Sequence, residues 1–188
     1  IRDRLCGESD QVTDFAVIGD TIYLVTGKLA PRFKLVEMSL SDPDMASSRD
    51  VVPAGDLVIE SVNVAADALY ISAKRDGIGM VMRWAPEVGL EELSPPRGGA
   101  TYLSSIAPDI PGAVIYETTW IQGGVRYAYD PETATFADTG MIPVGEFDNL
   151  EGYVAKELLI PSHDGVMIPL TILHREGLTL DGKNPTVV

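Results

Sequence analysis

Val58-Ile59-Glu60-Ser61-Val62-Asn63-Val64, then Ala65-Ala66-Asp67, then Ala68-Leu69-Tyr70-Ile71-Ser72-Ala73-Lys74 and, past Asp76-Gly77, Gly79-Met80-Val81-Met82-Arg83-Trp84 form the stretch that decides the fold. The runs 58–64 and 68–74 are short and rich in β-branched and aromatic residues, which predicts two strands joined through 65–67. Asp76-Gly77 predicts a tight hairpin turn into a third strand over 79–84, because both residue types accept a left-handed backbone. Working outward, 20–26 reads as a strand ending at Gly27, and 33–38 as one that stops at the turn cluster Ser41-Asp42-Pro43-Asp44. On the other side, 113–120 and 125–129 read as a pair turned by Gly123-Gly124 and closed by Asp130-Pro131-Glu132-Thr133. No sustained helical stripe lies between a cap and a stop before residue 150. The expectation is an antiparallel all-β body.

These strand groups, 21–38, 58–84 and 113–129, recur with a period of about 40 to 50 residues. A single small sheet leaves a face uncovered, so such units have to stack. Radial stacking gives a β-propeller, and face-to-face stacking gives a sandwich; the pattern fits both. Three blades do not close a ring, since propellers use about four to eight. The tail differs in character. Lys156 to Pro161 leads through Ser162-His163-Asp164-Gly165 into 166–175, a strand, an Asp-Gly turn and a second strand. After a loop over 177–185, Thr186-Val187-Val188 predicts the start of another strand, so the expectation is a fold that runs on past Val188. The opening residues Ile1 to Cys6 hold neither an initiator Met nor the apolar stretch of a signal peptide, which places the expected mature start upstream of Ile1.

The 188 residues are 45% hydrophobic and 22% charged, which excludes bulk disorder. No apolar run approaches the roughly 20 residues of a membrane-spanning helix. Twenty-eight acidic residues stand against 14 basic ones. That surplus repels phosphate backbones and anionic membranes, so neither nucleic acid nor a membrane surface is an expected partner. Segment 87–150 concentrates it, with ten acids and two bases. The plain reading is a solvated acidic face, and the sharper one is attraction of cationic peptides.

Residue types that carry chemistry are sparse. A nucleophile elbow needs Gly-x-Ser-x-Gly so that the strained turn can close beneath the serine. Gly7-Glu8-Ser9-Asp10-Gln11 supplies only its first half. The two histidines, His163 in a turn and His174 at a strand end, have no serine marked out as their partner. One cysteine, Cys6, and two histidines lack zinc-ligand spacing, and Asp42 and Asp44 around Pro43 lack the calcium-loop pattern. Gly77-Ile78-Gly79 begins like a dinucleotide fingerprint but lies in a hairpin. Trp84, Trp120, Tyr127 and Tyr129 read as packing aromatics on strands rather than a ligand cage. No catalytic, cofactor-binding or metal-ligating residue is assigned within 1–188, and no cofactor is expected.

Ser162-His163-Asp164-Gly165-Val166-Met167-Ile168-Pro169 resembles the hairpin that opens the α/β-hydrolase domain of the prolyl oligopeptidase family. The segment from Ile172 to Thr186, with Leu180-Asp181-Gly182-Lys183-Asn184-Pro185-Thr186, resembles the stretch next to that hairpin in the family. Ala30-Pro31-Arg32-Phe33-Lys34-Leu35-Val36 resembles one of its blade signatures. The resemblance implies that residues 1–150 are the last blades, about three, of a seven-bladed propeller. Residues 151–188 would then be the first strands of the hydrolase domain. It further implies a serine peptidase that cleaves short peptides after proline, with the serine, acid and histidine beyond Val188. This segment would supply the gating propeller and be inactive alone, and its partner would be the remainder of the polypeptide. Thr119-Trp120-Ile121-Gln122-Gly123-Gly124 departs from the Phe-Leu-x-Pro-Pro-like segment usual there, which bears on fine specificity. Two alternatives stay open: the oligopeptidase B branch, cutting after basic residues, and a stand-alone β-domain that binds a partner without catalysis.

Overall fold

The computed structural model describes residues 5–187, so Ile1 and Val188 lie outside the described residues. Sheet 1 contains β1 (Val12–Ile18), β2 (Thr21–Thr26), β3 (Lys34–Ser39) and β4 (Arg49–Val52). Sheet 2 contains β5 (Val58–Val64), β6 (Leu69–Arg75), β7 (Ile78–Ala85) and β8 (Gly89–Leu93). Sheet 3 contains β9 (Ala100–Ser105), β10 (Ala113–Thr118), β11 (Val125–Asp130) and β12 (Thr135–Asp138). Each is an antiparallel meander whose strands pair in chain order. A fourth unit is the hairpin of β13 (Tyr153–Pro161) and β14 (Met167–Arg175). Among the described residues the only helical element is a single 3-10 turn, Glu8–Asp10. Three separate four-stranded units in a row decide between the two stacking schemes: this is propeller-like, and a two-sheet sandwich is not formed. The strand expected to begin at Thr186 is absent at Thr186 and Val187, which have no neighbouring strand to pair with among the described residues.

Sheet 2 is the middle layer, and its strands show why consecutive residues can all be apolar. Side chains alternate across a strand, so a strand buried on both faces needs no polar positions. In β6, Leu69, Ile71 and Ala73 enter a core shared with Tyr23, Val25 and Leu35 of sheet 1. The intervening Tyr70 points the other way, into a second core with Ala113, Ile115 and Tyr129 of sheet 3. β7 divides in the same manner, Met80 and Met82 to the first core and Val81 to the second. The registry aligns Val62, Ile71 and Met82 across three strands on one face. On the outer face of sheet 1, Ile22, Leu24, Val36 and Met38 form a third cluster under Val12, Leu40 and Met45.

Hydrogen bonds between sheets are few and specific. The Val62 N–H donates to Asp14 Oδ2 at 2.9 Å, and the Val81 N–H donates to Thr101 Oγ1 at 2.9 Å in a buried site. At the opposite end from the Asp76-Gly77 turn, Asp67 accepts from the Gly112 N–H (2.8 Å), the Tyr70 hydroxyl (3.2 Å) and Arg83 Nε (2.8 Å). Arg83 reaches on to Glu91 Oε1 at 2.6 Å. Tyr70, Arg83 and Glu91 are cross-strand neighbours on one face, so the ladder itself presents them to Asp67.

This layer generates two expected outcomes. Ile71→Ala, at a site 1% exposed, is expected to cost about 2–5 kcal/mol in urea unfolding. Burial, with the Asp67 carboxylate adding to it, pushes the Tyr70 phenol well above the ordinary tyrosine value of 10.0. Folding therefore favours the neutral phenol: its contribution is complete below about pH 10 and is lost as pH rises toward the raised folded value. Melting temperature measured from neutral to strongly alkaline pH should fall along that limb. Tyr70→Phe should flatten it in part, since burial raises Tyr23 and Tyr129 as well. At neutral pH the same change should cost about 0.5–1.5 kcal/mol for the lost hydrogen bond.

Candidate functional site

Successive turns of a meander alternate between its two ends, so the β2–β3, β6–β7 and β10–β11 connections share one end of the stack with the 94–99 loop. Two contacts pin that end: the Ile59 N–H donates to Arg32 O at 3.0 Å, and Arg97 Nη1 donates to Gly123 O at 2.6 Å. The chain then leaves sheet 3 and returns to it, with Asn149 bridging Gln122 and the Leu150 N–H donating to Ile121 O at 2.9 Å. That return positions the β13–β14 hairpin beside the shared end. The space enclosed is a cleft of about 570 Å³ between the Asp76-Gly77 turn, the 94–99 loop and the hairpin. Its size falls within the range of small-ligand sites.

The cleft has an apolar floor and a charged surround. Ile78, Leu93, Pro95 and Leu158 line it, and Trp120, 59% exposed, stands at its edge. Asp76 and Gly77 adopt φ of 52° and 84°, the left-handed pair of the expected tight turn. Glu117 is fully buried although it lies inside an apolar strand. Its Oε1 accepts the Gly99 N–H at 2.9 Å and its Oε2 the Arg97 N–H at 3.2 Å, so one carboxylate staples the 94–99 loop to β10. Gly99 has to be glycine here, because a Cβ would run into the Thr118 carbonyl. Arg75 and Glu92 pair across the cleft wall at 3.4 Å, with both side chains nearly half exposed.

The residues singled out in the sequence take varied places. Ser162 Oγ and His163 Nδ1 are 3.2 Å apart, but they are exposed chain neighbours in the hairpin turn. Asp164, which would have to orient the ring, instead accepts the Val166 N–H at 3.1 Å. His174 Nδ1 donates to Arg175 O at 2.8 Å. Ser9 sits in the 3-10 turn, whose Asp10 pairs with Lys28 at 2.7 Å. Asp44 accepts the Ala46 N–H at 2.8 Å, closing a local turn. Among the described residues there is no group of three or more candidate metal ligands. Trp84 packs edge-on to Tyr23 at 5.8 Å, and Tyr127 and Tyr129 pack on Phe136. Trp120 does not share that role: β10 stops at Thr118, and the indole stands in the following turn at the cleft edge. Glu117 is a site residue that sequence reasoning misses. Its signal is a carboxylate at a core-facing position of an alternating strand, after Ala113 and Ile115.

Comparison with known proteins agrees with this architecture. Residues 4–101 match the family profile described as prolyl oligopeptidase, N-terminal beta-propeller domain. A prolyl endopeptidase of Elizabethkingia meningoseptica is 27% identical over 171 residues, 90% of this chain and 24% of its own length. The chain thus spans about a quarter of the curated relatives it matches. Among solved structures, prolyl oligopeptidase B from Galerina marginata superposes with a TM-score of 0.74 at 23% identity, over 91% of this chain and 24% of that one. Oligopeptidase B from Trypanosoma brucei does so with a TM-score of 0.73 at 20% identity, over 88% and 25%. These two likenesses are of fold.

Glu117→Ala leaves two half-buried N–H donors without their carboxylate and should cost about 1–3 kcal/mol. Amide exchange should accelerate at Arg97 and Gly99 while remaining slow in β6. Uniform acceleration across sheet 2 would contradict the staple.

Proposed function

The chain belongs to the prolyl oligopeptidase family, through its N-terminal β-propeller domain, and on that premise we propose that it is the propeller-bearing part of a serine oligopeptidase that cuts short peptides after proline. Residues 1–150 are read as the last blades of a seven-bladed ring, and 151–188 as the opening strands of an α/β-hydrolase domain. The observation that carries this is the 27% identity to a prolyl endopeptidase across 90% of the chain, which extends past the blades into the hairpin. The resemblance of 162–186 to the family's first hydrolase segment supports the same division.

In this reading the chain's own contribution is access. A rigid stack of sheets over a reaction chamber admits a short extended peptide and turns away a folded protein, which also limits competing water. The bond-breaking groups belong to polypeptide outside 1–188. There a serine would attack the scissile carbonyl while a histidine takes its proton and an acid orients the ring. No such trio stands among the described residues, since His163 and His174 are both engaged locally on the surface. A second reading, cleavage after basic residues, is favoured by the fold likeness to oligopeptidase B and by the acid surplus of 87–150.

Fluorogenic peptides ending in proline and in arginine, offered to the full-length polypeptide that carries this chain, separate the two. Hydrolysis after proline at least about tenfold faster is the expected result. Faster cleavage after arginine would favour the second reading. No hydrolysis of either, with no fluorophosphonate adduct on any serine, would overturn both. The access role has its own check: the same proline-containing sequence should be cut as a free peptide and spared inside a folded protein.

A further inference from the structure

We propose that Asp181-Gly182 is a site of spontaneous isoaspartate formation in the folded protein, and with it a substrate for a carboxyl methyltransferase that uses S-adenosylmethionine and reads the isomerised linkage. The site is a matter of the chain's own backbone chemistry and stands whichever peptide bond the parent polypeptide cuts.

The step needs an aspartate followed by a residue whose amide nitrogen can reach the carboxyl carbon. Asp76, Asp164 and Asp181 all precede glycine, which leaves that nitrogen unhindered, and all three are exposed. Asp42, Asp130 and Asn184 precede proline, which has no N–H to give up, so these pairs cannot take the route. At the proposed site the Gly182 nitrogen attacks Cγ of the protonated Asp181 carboxyl. An N–Cγ bond forms, a carboxyl C–O bond breaks, and the hydroxyl leaves with the amide proton as water, closing a succinimide ring. Water then opens the ring. Opening at the former main-chain carbonyl routes the backbone through Cβ and Cγ and frees an α-carboxylate, whereas opening at Cγ restores aspartate. The water lost is the water regained, nothing is oxidised or reduced, and mass is unchanged.

The structure separates the three glycine-flanked aspartates. Asp76 is held at φ 52° in the tight turn between the paired residues Arg75 and Ile78. Swinging its carboxyl over the next nitrogen would turn the backbone out of the left-handed well and open the hairpin. At Asp164 the nitrogen is engaged, because the Gly165 N–H donates to Ser162 O at 3.0 Å inside a turn clamped by the Pro161–Met167 pair. Asp181 has neither restraint. It lies outside any strand, and the Gly182 N–H donates to no acceptor among the described residues. Its Oδ1 accepts the Lys183 N–H at 3.0 Å, which folds the carboxyl back along the peptide group that contains the attacking nitrogen. Isomerisation inserts a methylene into the main chain and moves the carboxylate to Cα. The Lys183 bond is then lost, and with it the spacing that lets Asn184 Nδ2 donate to Thr179 O at 2.8 Å.

The test ages the full-length polypeptide that carries this chain for several weeks at neutral pH and body temperature, folded and in urea. Trypsin places the three aspartates on separate peptides, 76–83, 157–175 and 176–183. Electron-transfer fragmentation distinguishes the isomers despite their equal mass. In the folded sample isoaspartate at 181 should exceed that at 76 or 164 at least about fivefold, because ring closure follows local freedom of the backbone. In urea the three should converge to within about twofold, since the restraints at 76 and 164 are gone. The aged protein should accept labelled methyl groups from S-adenosylmethionine with an isoaspartate methyltransferase. Asp181→Glu should remove most of that acceptance with the melting curve unmoved, because the larger ring from glutamate closes far more slowly and the position is exposed. Isoaspartate at 76 or 164 equal to or above that at 181 would overturn the proposal. So would its absence at 181 in the folded sample while the urea sample forms it, or methyl acceptance indifferent to Asp181→Glu.

Discussion

Burial of β6 and β7 on both faces is the constraint on which the rest of the arrangement depends. Ile71 and Met82 face one neighbour while Tyr70 and Val81 face the other, so neither sheet 1 nor sheet 3 can be removed without exposing a complete apolar layer of sheet 2. This two-sided demand fixes the order of the stack. It also fixes the registry, because a slip of one residue would exchange the two faces and turn Leu69 and Tyr70 into the wrong cores. Polar groups are admitted where partners meet them, as with Tyr70, Arg83 and Glu91, which the ladder brings into line around Asp67.

The same rule explains the cleft. Its walls belong to elements that the stack already holds, and the single charged group buried among them, Glu117, is engaged by two N–H donors. A buried carboxylate without such partners would be strongly unfavourable, and with them it becomes a geometric device that defines one wall. Rigidity on the sheet 3 side contrasts with the hairpin side, where β13 and β14 pair along nine positions but leave Leu159, Ile160, Met167 and Ile168 well exposed. The cleft therefore joins a fixed surface to one whose apolar face has little cover among the described residues.

The sequence is most legible where burial is deepest. The pairs at 58–84 and the Asp76-Gly77 turn can be read directly, since double burial produces uninterrupted β-branched and aromatic runs. The bordering strands are hard to read for the opposite reason. β4 is Arg-Asp-Val-Val, β8 is Gly-Leu-Glu-Glu-Leu and β12 is Thr-Phe-Ala-Asp, short outer strands whose polar residues match their exposed faces and mimic loops. β1 contains Asp14, which looks out of place in a strand until its bond to Val62 in the next sheet is known. Trp120 departs from the packing role expected of it because nothing local says that β10 ends two residues before it. The cleft as a whole is illegible, because Asp76, Glu117 and Glu157 are far apart in the chain: sheet stacking brings the first two to one end, and the return of 148–150 along the β10–β11 turn adds the third.

Each sheet is built from one uninterrupted piece of chain, and only a handful of hydrogen bonds pass from one piece to the next. Strand pairing, the part of the structure that depends on register, is thus completed locally, and docking between pieces relies on side-chain fit. Such an architecture is a string of cassettes of about forty residues. Duplication or loss of one cassette leaves every ladder intact and asks the neighbours only to re-mate their apolar faces. Divergence can then proceed in the faces and end loops while the meander itself persists, as identities of 20% and 23% alongside TM-scores above 0.7 illustrate.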